Sequence, residues 1–514
     1  MLLEMIKKFR QEKWNEKNIL LWSMFIATLL LNFYGVIGHT LWRDETQAWL
    51  IARDTVPTAS SLFTVTSYEG HPMLWFLVLM PFAKLGVSPE FVMIISLGFV
   101  TLAQYLLLFK TKINIWFRLA ISCAPIFVYY FVLPARSYSV ALFLVVAIAV
   151  SYSRRLDHPI LYGALLALLL QTLVIMGGFV VACGVCWFIE SIIKRKEIGK
   201  VLFIKNAVGM SIVLASALLL LWEFRFTSSV VPGYSPSITE IIKVVVYNLV
   251  EGYQILFGGY AIIGILISVF VFLASIVYRG NSISLIVITV VGILWQCYIY
   301  GFVYNNTNNR ILTWLAILIF YIIAFIQSDA FELTINDINS SVVVYIFALF
   351  IILFQWQYGE QPQYLYNKFS DMVDDINPRV VYSSGKEMAE YINGLPSDMP
   401  VFVSNSDYDS PVVAQVDRKH AIYNPFFQTK ASFVDRNPEN VENMDYYEFV
   451  TRAKEMFPDA DYAYVIVEVG DEAVNINGIM DKVNDSREEV MIEYECPNNY
   501  LREKYCLLKV KIEG

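Results

Sequence analysis

The chain has 514 residues, of which 57% are hydrophobic and only 16% are charged, and its mean hydropathy is +0.53. An ordinary soluble domain is about a quarter charged and a little under half apolar, so the composition excludes a wholly soluble protein, a disordered chain and a disulfide scaffold. Residues 358–514 carry a net charge of −14 and residues 1–357 a net charge of +6. This asymmetry predicts a basic membrane domain with an acidic tail, which argues against nucleic-acid binding.

Apolar runs of membrane-spanning length extend from residue 18 to residue 357. A helix needs about 20 mostly apolar residues to cross a bilayer, and each run must be helical in lipid because its backbone polar groups need internal partners. Twelve candidate runs lie at 18–39, 71–87, 90–109, 114–133, 137–153, 159–176, 178–193, 201–222, 257–278, 281–302, 310–327 and 341–357. The first run lacks a small-residue cleavage site, so we expect a span rather than a signal peptide.

Lysine and arginine residues in short loops predict how the chain is oriented. Residues 1–17 and the loop 194–205 are both basic, so both are expected in the cytoplasm, and an even number of passes must separate them. Seven runs lie between them. The surplus run falls in 71–110, where Pro81 and Pro89 interrupt the apolar pattern. We therefore expect one pass plus a partly inserted segment there.

The sequence therefore predicts a polytopic α-helical membrane protein with an odd number of spans, eleven with thirteen as the alternative. Its parts are a cytoplasmic segment 1–17, a transmembrane domain 18–357 and an extracytoplasmic α/β soluble domain 358–514, and the simplest location is a plasma membrane. Two outer loops are long, the first outer loop at 39–70 and a second at 225–256 that contains a helix-like stretch. Long loops in compact proteins are more often functional than idle.

Within the tail domain, two apolar runs predict buried strands, two amphipathic runs predict helices, and two late alternating runs predict an antiparallel pair. In that order the runs are Val401–Val403, Ala463–Val467, Lys386–Ile392, Tyr446–Phe457, Val490–Tyr494 and Leu507–Ile512. Cys496 and Cys506 flank the late pair. Outside a cell they could form a disulfide, and two free thiols are the equal alternative.

The densest group of ionisable residues directly follows the first span. It occupies residues 42–54 and contains Arg43, Asp44, Glu45 and Arg53. Written as a helix, the tryptophans of this stretch share one side and the two acids lie elsewhere. The alternative that needs no chemistry is an interfacial helix with tryptophan anchors and solvated charges.

Glu69 and His71 stand at the mouth of the next apolar run. A histidine before a proline at a helix start can be a simple start signal. These groups nevertheless reach the same membrane level as Asp44 and Glu45, and titratable groups at a membrane interface are costly unless they are paired or used. The sequence therefore predicts a candidate site at this level.

Two arginines stand at other outer span mouths. Arg136 lies in Ala-Arg-Ser-Tyr, and Arg310 follows an asparagine-rich stretch. A guanidinium at the mouth of a helix bundle is suited to bind a phosphate through two parallel hydrogen bonds. The alternative for Arg136 is a side chain that reaches to the interface, or that pairs with Asp44 or Glu45.

Together these elements resemble the GT-C superfamily of integral-membrane glycosyltransferases, and most closely the branch of the protein O-mannosyltransferases and the aminoarabinose transferases of lipid A. The resemblance rests on Asp44 and Glu45 after the first span, on His71 before a proline, and on Arg136, and it covers about residues 18–330. The family commonly has a second proline after the His-Pro pair, where this chain has methionine. The tail carries no motif of the family.

The resemblance implies an inverting glycosyltransferase that moves a sugar from a polyprenyl-phosphate carrier to an acceptor hydroxyl on the outer face of the membrane. The acceptor would be a cell-surface glycan, a lipid or a protein. The resemblance implies Asp44 as the general base, Glu45 as its hydrogen-bonding neighbour, and Glu69 or His71 as positioning groups. The leaving lipid phosphate needs positive charge more than a proton. The first candidates to supply this charge are Arg136 and Arg310, and the weaker candidates are Arg43 and Arg53.

No cofactor is implied, because the first outer loop has no DxD-type metal pair, and a divalent cation stays as a minor alternative.

The alternative function is a transporter or flippase of lipid-linked glycans, which should place ionisable groups near the bilayer midplane and show internal repeats. A sensor whose purpose is the tail is a third possibility. A mere anchor needs one or two spans, however, so the number of apolar runs argues against it.

Overall fold

The structure is a computed structural model that describes residues 16–124, 126–224, 236–256, 260–278, 283–304, 312–327, 383–437, 440, 442–469, 474–485, 489–496 and 503–512. Arg310, the candidate span 341–357 and nearly all of the basic segment 1–17 lie outside the described residues. The described chain is helical up to residue 327 and contains strands beyond residue 383.

The membrane domain is built from apolar helices, some of which have the length of a membrane span. In chain order they are α1 Glu16–Gly38, α2 Arg43–Asp54, α3 Ala59–Glu69, α4 Leu74–Lys84, α5 Phe91–Lys110, α6 Ile115–Ser122, α7 Tyr138–Ser151, α8 Pro159–Leu170, α9 Gly177–Ile193, α10 Arg195–Glu223, α11 Ile238–Leu256, α12 Ala261–Tyr278, α13 Ile283–Ile299 and α14 Leu312–Gln327. Among the described residues, five helical runs are long and apolar enough to cross a bilayer: Lys17–Gly38, Phe91–Lys110, Val174–Ile193, Arg195–Glu223 and Ile283–Val303.

In three predicted spans the longest α-helix has 12 residues or fewer. The run 71–87 contains only α4, with 11 residues, and the run 159–176 contains α8, with 12 residues. The run 114–133 contains α6, with 8 residues, and a π-helical turn at Ile126–Tyr130. At 1.5 Å per residue, α4 is about 16 Å long, roughly half of the hydrocarbon thickness. Hydropathy misses these breaks because the side chains stay apolar where the backbone changes its path.

Both ends of the segment that contains α4 face the tail. Before α4, the carboxylate of Glu69 lies 3.5 Å from Nε of Arg436 in the tail. After α4, Glu90 accepts a hydrogen bond from Nζ of Lys386 at 3.0 Å. A segment that starts and ends at the same face does not cross the domain. The run 71–87, predicted as one of the candidate passes, therefore has both of its flanks against the tail.

The tail domain is a sheet covered by helices. Its elements are α15 Gly385–Asn393, β1 Val401–Val403, α16 Ser410–Gln415, β2 Ile422–Asn424, β3 Thr429–Lys430, β4 Met444–Asp445, α17 Tyr446–Met456, β5 Tyr462–Glu468, β6 Ile476–Asn477, α18 Ile479–Asp485, β7 Val490–Glu495 and β8 Tyr505–Lys511. The main sheet has the order β3-β2-β1-β5-β8-β7, with β2, β1 and β5 parallel. The predicted strands and helices and the late antiparallel pair are confirmed.

Alternation along the strands divides the tail core into two layers. Phe402 of β1 and Val465 of β5 are register partners, and both pack on one face with Phe449 of α17. The next pair, Val403 and Ile466, belongs to the opposite face, which α15 and α16 cover. This second face is the one turned toward the membrane domain.

The two tail cysteines are core residues. Cys496 and Cys506 are buried free thiols, so the structure has the free-thiol alternative. Burial raises the pKa of Cys496 to about 11 and that of Cys506 to about 12, so both thiols stay protonated at neutral pH.

Candidate functional site

Helix α2 of the first outer loop lies between the membrane domain and the tail. Trp49, Ile51 and Ala52 belong to the hydrophobic core of the membrane domain, whereas Leu50 belongs to the tail core that covers the second face of the sheet. All residues from Glu45 to Ala52 are buried. The predicted helix is confirmed, but its charges are not all solvated as in the alternative of a simple interfacial helix, because the tail and the membrane domain bury residues from Glu45 to Ala52.

Glu45 is a buried junction between distant segments. Its carboxylate contacts Nε2 of His39 at 3.0 Å and accepts hydrogen bonds from the backbone amides of Trp42 at 3.2 Å and Ala135 at 2.7 Å. None of the Glu45 surface is exposed. Since a buried carboxylate with several donors is held rigidly, Glu45 fixes the start of α2 against the residue that precedes Arg136. This arrangement agrees with the expected network role and not with direct contact to a substrate.

Asp44, Arg136 and His71 form one contiguous group at the end of the membrane domain that faces the tail. Nη1 of Arg136 donates to Oδ2 of Asp44 at 2.7 Å, and Nη2 of Arg136 lies 3.0 Å from Nε2 of His71. The side chains of Asp44 and Arg136 are 28% and 19% exposed, so the pair is only partly covered by protein. The predicted alternative, in which Arg136 pairs with Asp44, is confirmed.

The charges around Asp44 favour its ionised form. Burial opposes ionisation, but the positive charges of Arg136 and Arg43 outweigh burial and hold the pKa of Asp44 below its ordinary value. Asp44 is therefore a carboxylate at neutral pH. In that form it can accept a proton or a hydrogen bond.

Glu69 lies next to the group of Asp44, Arg136 and His71, on the same face of the membrane domain. Nε2 of Gln47 donates to its Oε1 at 2.6 Å, and Arg436 of the tail lies on its other oxygen. Burial raises the pKa of Glu69 despite the nearby guanidinium. Gln47 also exchanges two hydrogen bonds with the backbone of Val434, at 2.9 and 3.0 Å. Glu69 is thus placed at the boundary with the tail, next to the Asp44 group.

Arg43 points toward the tail rather than toward Arg136. Its guanidinium lies 4.7 Å from the ring centre of Tyr408, and its backbone amide donates to Oε1 of Glu503 at 3.2 Å. Burial acts to lower the pKa of Arg43, but Tyr408 and the acid Asp407 outweigh it, so the pKa is raised. Arg43 is a docking residue for the tail that also contributes positive charge near Asp44.

Arg53 is not part of the group. It lies nine residues from Asp44 on α2, about 14 Å along the helix axis, and donates from Nε and Nη2 to the carboxylate of Asp54 at 2.7 and 2.9 Å. The structure therefore does not bring Arg53 together with Asp44, Arg136 and His71. Arg310, predicted for the same role, lies outside the described residues.

Three tail residues that lie beside Glu69 and the start of α2 were not among the predicted site residues. Arg436 and Asp407 form an ion pair at 3.1 Å beside Glu69, and Glu503 lies under the start of α2. No local pattern marks these residues, because docking of the tail brings together segments that are hundreds of positions apart.

Nothing in the described part of the chain is built to hold a metal ion. Among those residues, no three histidine, cysteine, aspartate or glutamate side chains come close enough to one another to hold an ion. The acids Asp44 and Glu69 instead lie against guanidinium groups. The chemistry available here is proton acceptance by a carboxylate beside cations that can bind an anion.

No protein-family model matches the chain, and no curated protein is significantly similar to it.

Proposed function

We propose that the protein is a membrane glycosyltransferase that moves a sugar from a polyprenyl-phosphate carrier to an acceptor hydroxyl. The observation that carries this proposal is the partly exposed group of Asp44, Arg136 and His71 at the end of an apolar helix bundle. Such a place suits an amphipathic donor, because its isoprenoid chain can lie among apolar helices while its phosphate stays at the interface. The resemblance to the GT-C superfamily points to the same reaction.

The proposed reaction is a single displacement. The acceptor oxygen forms a bond to the anomeric carbon and passes its proton to the carboxylate of Asp44, while the bond from that carbon to the phosphate oxygen breaks. The electron pair leaves on the phosphate, where Arg136 stabilises the charge. A low pKa does not prevent Asp44 from acting, since the hydroxyl becomes acidic as its oxygen is alkylated. General-base assistance contributes about 10²–10⁴-fold to the rate.

The proposed topology has eleven passes, with the first outer loop and the tail outside the membrane. The passes are α1, α5, α6 with its π turn, α7, α8, α9, α10, α12, α13, α14 and the run 341–357. Three contacts support alternate helix ends at opposite faces. Ala135 contacts the first outer loop, and Leu74 donates to the carbonyl of Gln171 after α8. At the other face, the side chain of Gln327 at the end of α14 donates to the carbonyl of Lys110 at the end of α5.

The direct test replaces the proposed base. Purified protein in lipid vesicles receives polyprenyl-phosphate hexoses and pentoses together with membrane extract as the acceptor source, and release of polyprenyl phosphate is measured. Asp44→Asn should lower turnover at least about 100-fold while the protein still binds the donor. Asp157→Asn, at an exposed position just before α8, is the control and should keep turnover.

Two results count against the proposal. Full turnover by Asp44→Asn would remove Asp44 from the reaction. Movement of intact donor across the vesicle membrane, with no release of polyprenyl phosphate by the wild-type protein, would favour the flippase alternative.

A further inference from the structure

Arg436 of the tail reaches the acidic face of the first outer loop. Its Nε lies 3.5 Å from Oε2 of Glu69, and its Nη2 donates to Oδ1 of Asp407 at 3.1 Å. Arg436 also contributes to the positive field that holds Asp44 ionised. Its side chain is 41% exposed, so the guanidinium is not enclosed by these two acids.

The segment that carries Arg436 is fixed against α2. Val434 exchanges two hydrogen bonds with the side-chain amide of Gln47, and Ser432 donates to the carboxylate of Asp54. These contacts run along most of α2, so the position of Arg436 relative to the membrane domain is set by docking and not by a free loop. A positioned guanidinium loses little entropy when it binds an anion.

Two arginines reach the rim around Asp44 from different parts of the chain. Arg136 pairs with Asp44 from the membrane domain, and Arg436 contributes its charge from the tail, where it contacts Glu69 and Asp407. Two guanidinium groups from different directions match the several oxygens of a phosphate, which one arginine cannot cover.

We propose that Arg436 is a second phosphate-binding arginine of the donor site, so that the site is complete only when the tail is docked on the first outer loop. This inference rests on the proposed function, since the phosphate belongs to the polyprenyl-phosphate donor. Arg136 binds the phosphate from the membrane domain and Arg436 binds it from the tail.

The test measures binding of decaprenyl phosphate, and of decaprenol as the uncharged control, to the full chain in lipid nanodiscs. Wild type should bind the phosphate more tightly than the alcohol. Arg436→Gln should weaken binding of decaprenyl phosphate about tenfold, the equivalent of about 1.4 kcal/mol, and should leave decaprenol binding unchanged. Arg418→Gln, a tail arginine beside Gly86, is the matched control and should bind like wild type.

A second variant separates phosphate binding from docking. Glu69→Gln removes the same ion pair but leaves the guanidinium in place, so it should bind decaprenyl phosphate at least as tightly as wild type. Equal loss in Glu69→Gln and Arg436→Gln would show that the ion pair only docks the tail, and wild-type affinity in Arg436→Gln would likewise overturn the inference. A wild-type protein that does not distinguish decaprenyl phosphate from decaprenol would overturn the proposed function as well.

Discussion

Asp44 and Glu45 are neighbours in sequence but have opposite surroundings. Successive side chains on a helix point about 100° apart, so Glu45 enters the interior while Asp44 stays at the rim. Glu45 has no exposed surface and three protein partners, whereas Asp44 is 28% exposed beside Arg136. The acidic pair therefore combines one structural carboxylate with one that a substrate can reach.

This difference predicts different effects of removing each acid. Glu45→Ala leaves the amide of Ala135 and the ring of His39 without their buried partner, and should lower the free energy of unfolding by about 3 kcal/mol. Asp44→Asn keeps a side chain of the same size at a partly exposed position and should change it little. Thermal unfolding of the two purified variants in detergent checks this, and equal stabilities would contradict the assignment of Glu45.

Glu503 predicts a dependence of stability on pH. Burial raises its pKa to about 7 from an ordinary 4.5, so the folded state retains a proton that the unfolded state has already released. As the pH rises from about 4.5 to 7, Glu503 progressively lowers the stability of the fold, and its full cost is present above pH 7. The shift corresponds to about 3 kcal/mol.

Glu503→Gln lacks this titration. Its stability relative to wild type should therefore increase between pH 5 and pH 8, as measured by denaturant or thermal unfolding at each pH. A difference between the two proteins that stays constant across this range would show that Glu503 is not protonated in the fold.

At the scale of elements, α2 is shared by two hydrophobic cores. Leu50 packs in the tail core, and Ile51 packs in the core of the membrane domain. Because one short helix serves both cores, the tail cannot leave without exposing apolar surface on α2. Burial of α2 therefore stabilises the docking of the tail as well as the fold of the membrane domain.

Substitutions on α2 should separate these two contributions. Leu50→Ala should cost about 2–5 kcal/mol and make the tail more sensitive to limited proteolysis, because the lost contacts belong to the tail. Val56→Ala, at an exposed position just after α2, is the matched control and should cleave like wild type. An unchanged digestion pattern for Leu50→Ala would contradict the shared core.

At the scale of the whole molecule, the contacts constrain the topology. The first outer loop and the tail are in contact, so we expect both on one side of the membrane. Membrane-impermeant thiol labelling in sealed vesicles should therefore modify Val56→Cys and Lys419→Cys from the same side. Lys196→Cys, at the start of α10, should be labelled from the opposite side, and the parent chain gives the background of the native cysteines. Labelling of Val56→Cys and Lys196→Cys from the same side would contradict the proposed passes.

Local patterns predicted much of the fold. The strand Val401–Val403 and the helix of residues 446–457 follow from composition and periodicity, and the structure has both. The pairing of Arg136 with Asp44 could be anticipated from their shared membrane level. The contact of Arg436 with Glu69 could not, because it depends on how two domains dock. The short length of α8 was also missed, since hydropathy does not register where a helix ends.

The hydrogen bond from Arg43 to Glu503 joins residues 460 positions apart. During synthesis the first outer loop emerges first, and Glu503, which directly precedes β8, emerges 460 positions later. A chain that has not yet reached Glu503 carries Asp44 and Arg136 without this contact under α2. Assembly of the site is thus coupled to synthesis of the tail, and chains that stop before Glu503 should lack the contact.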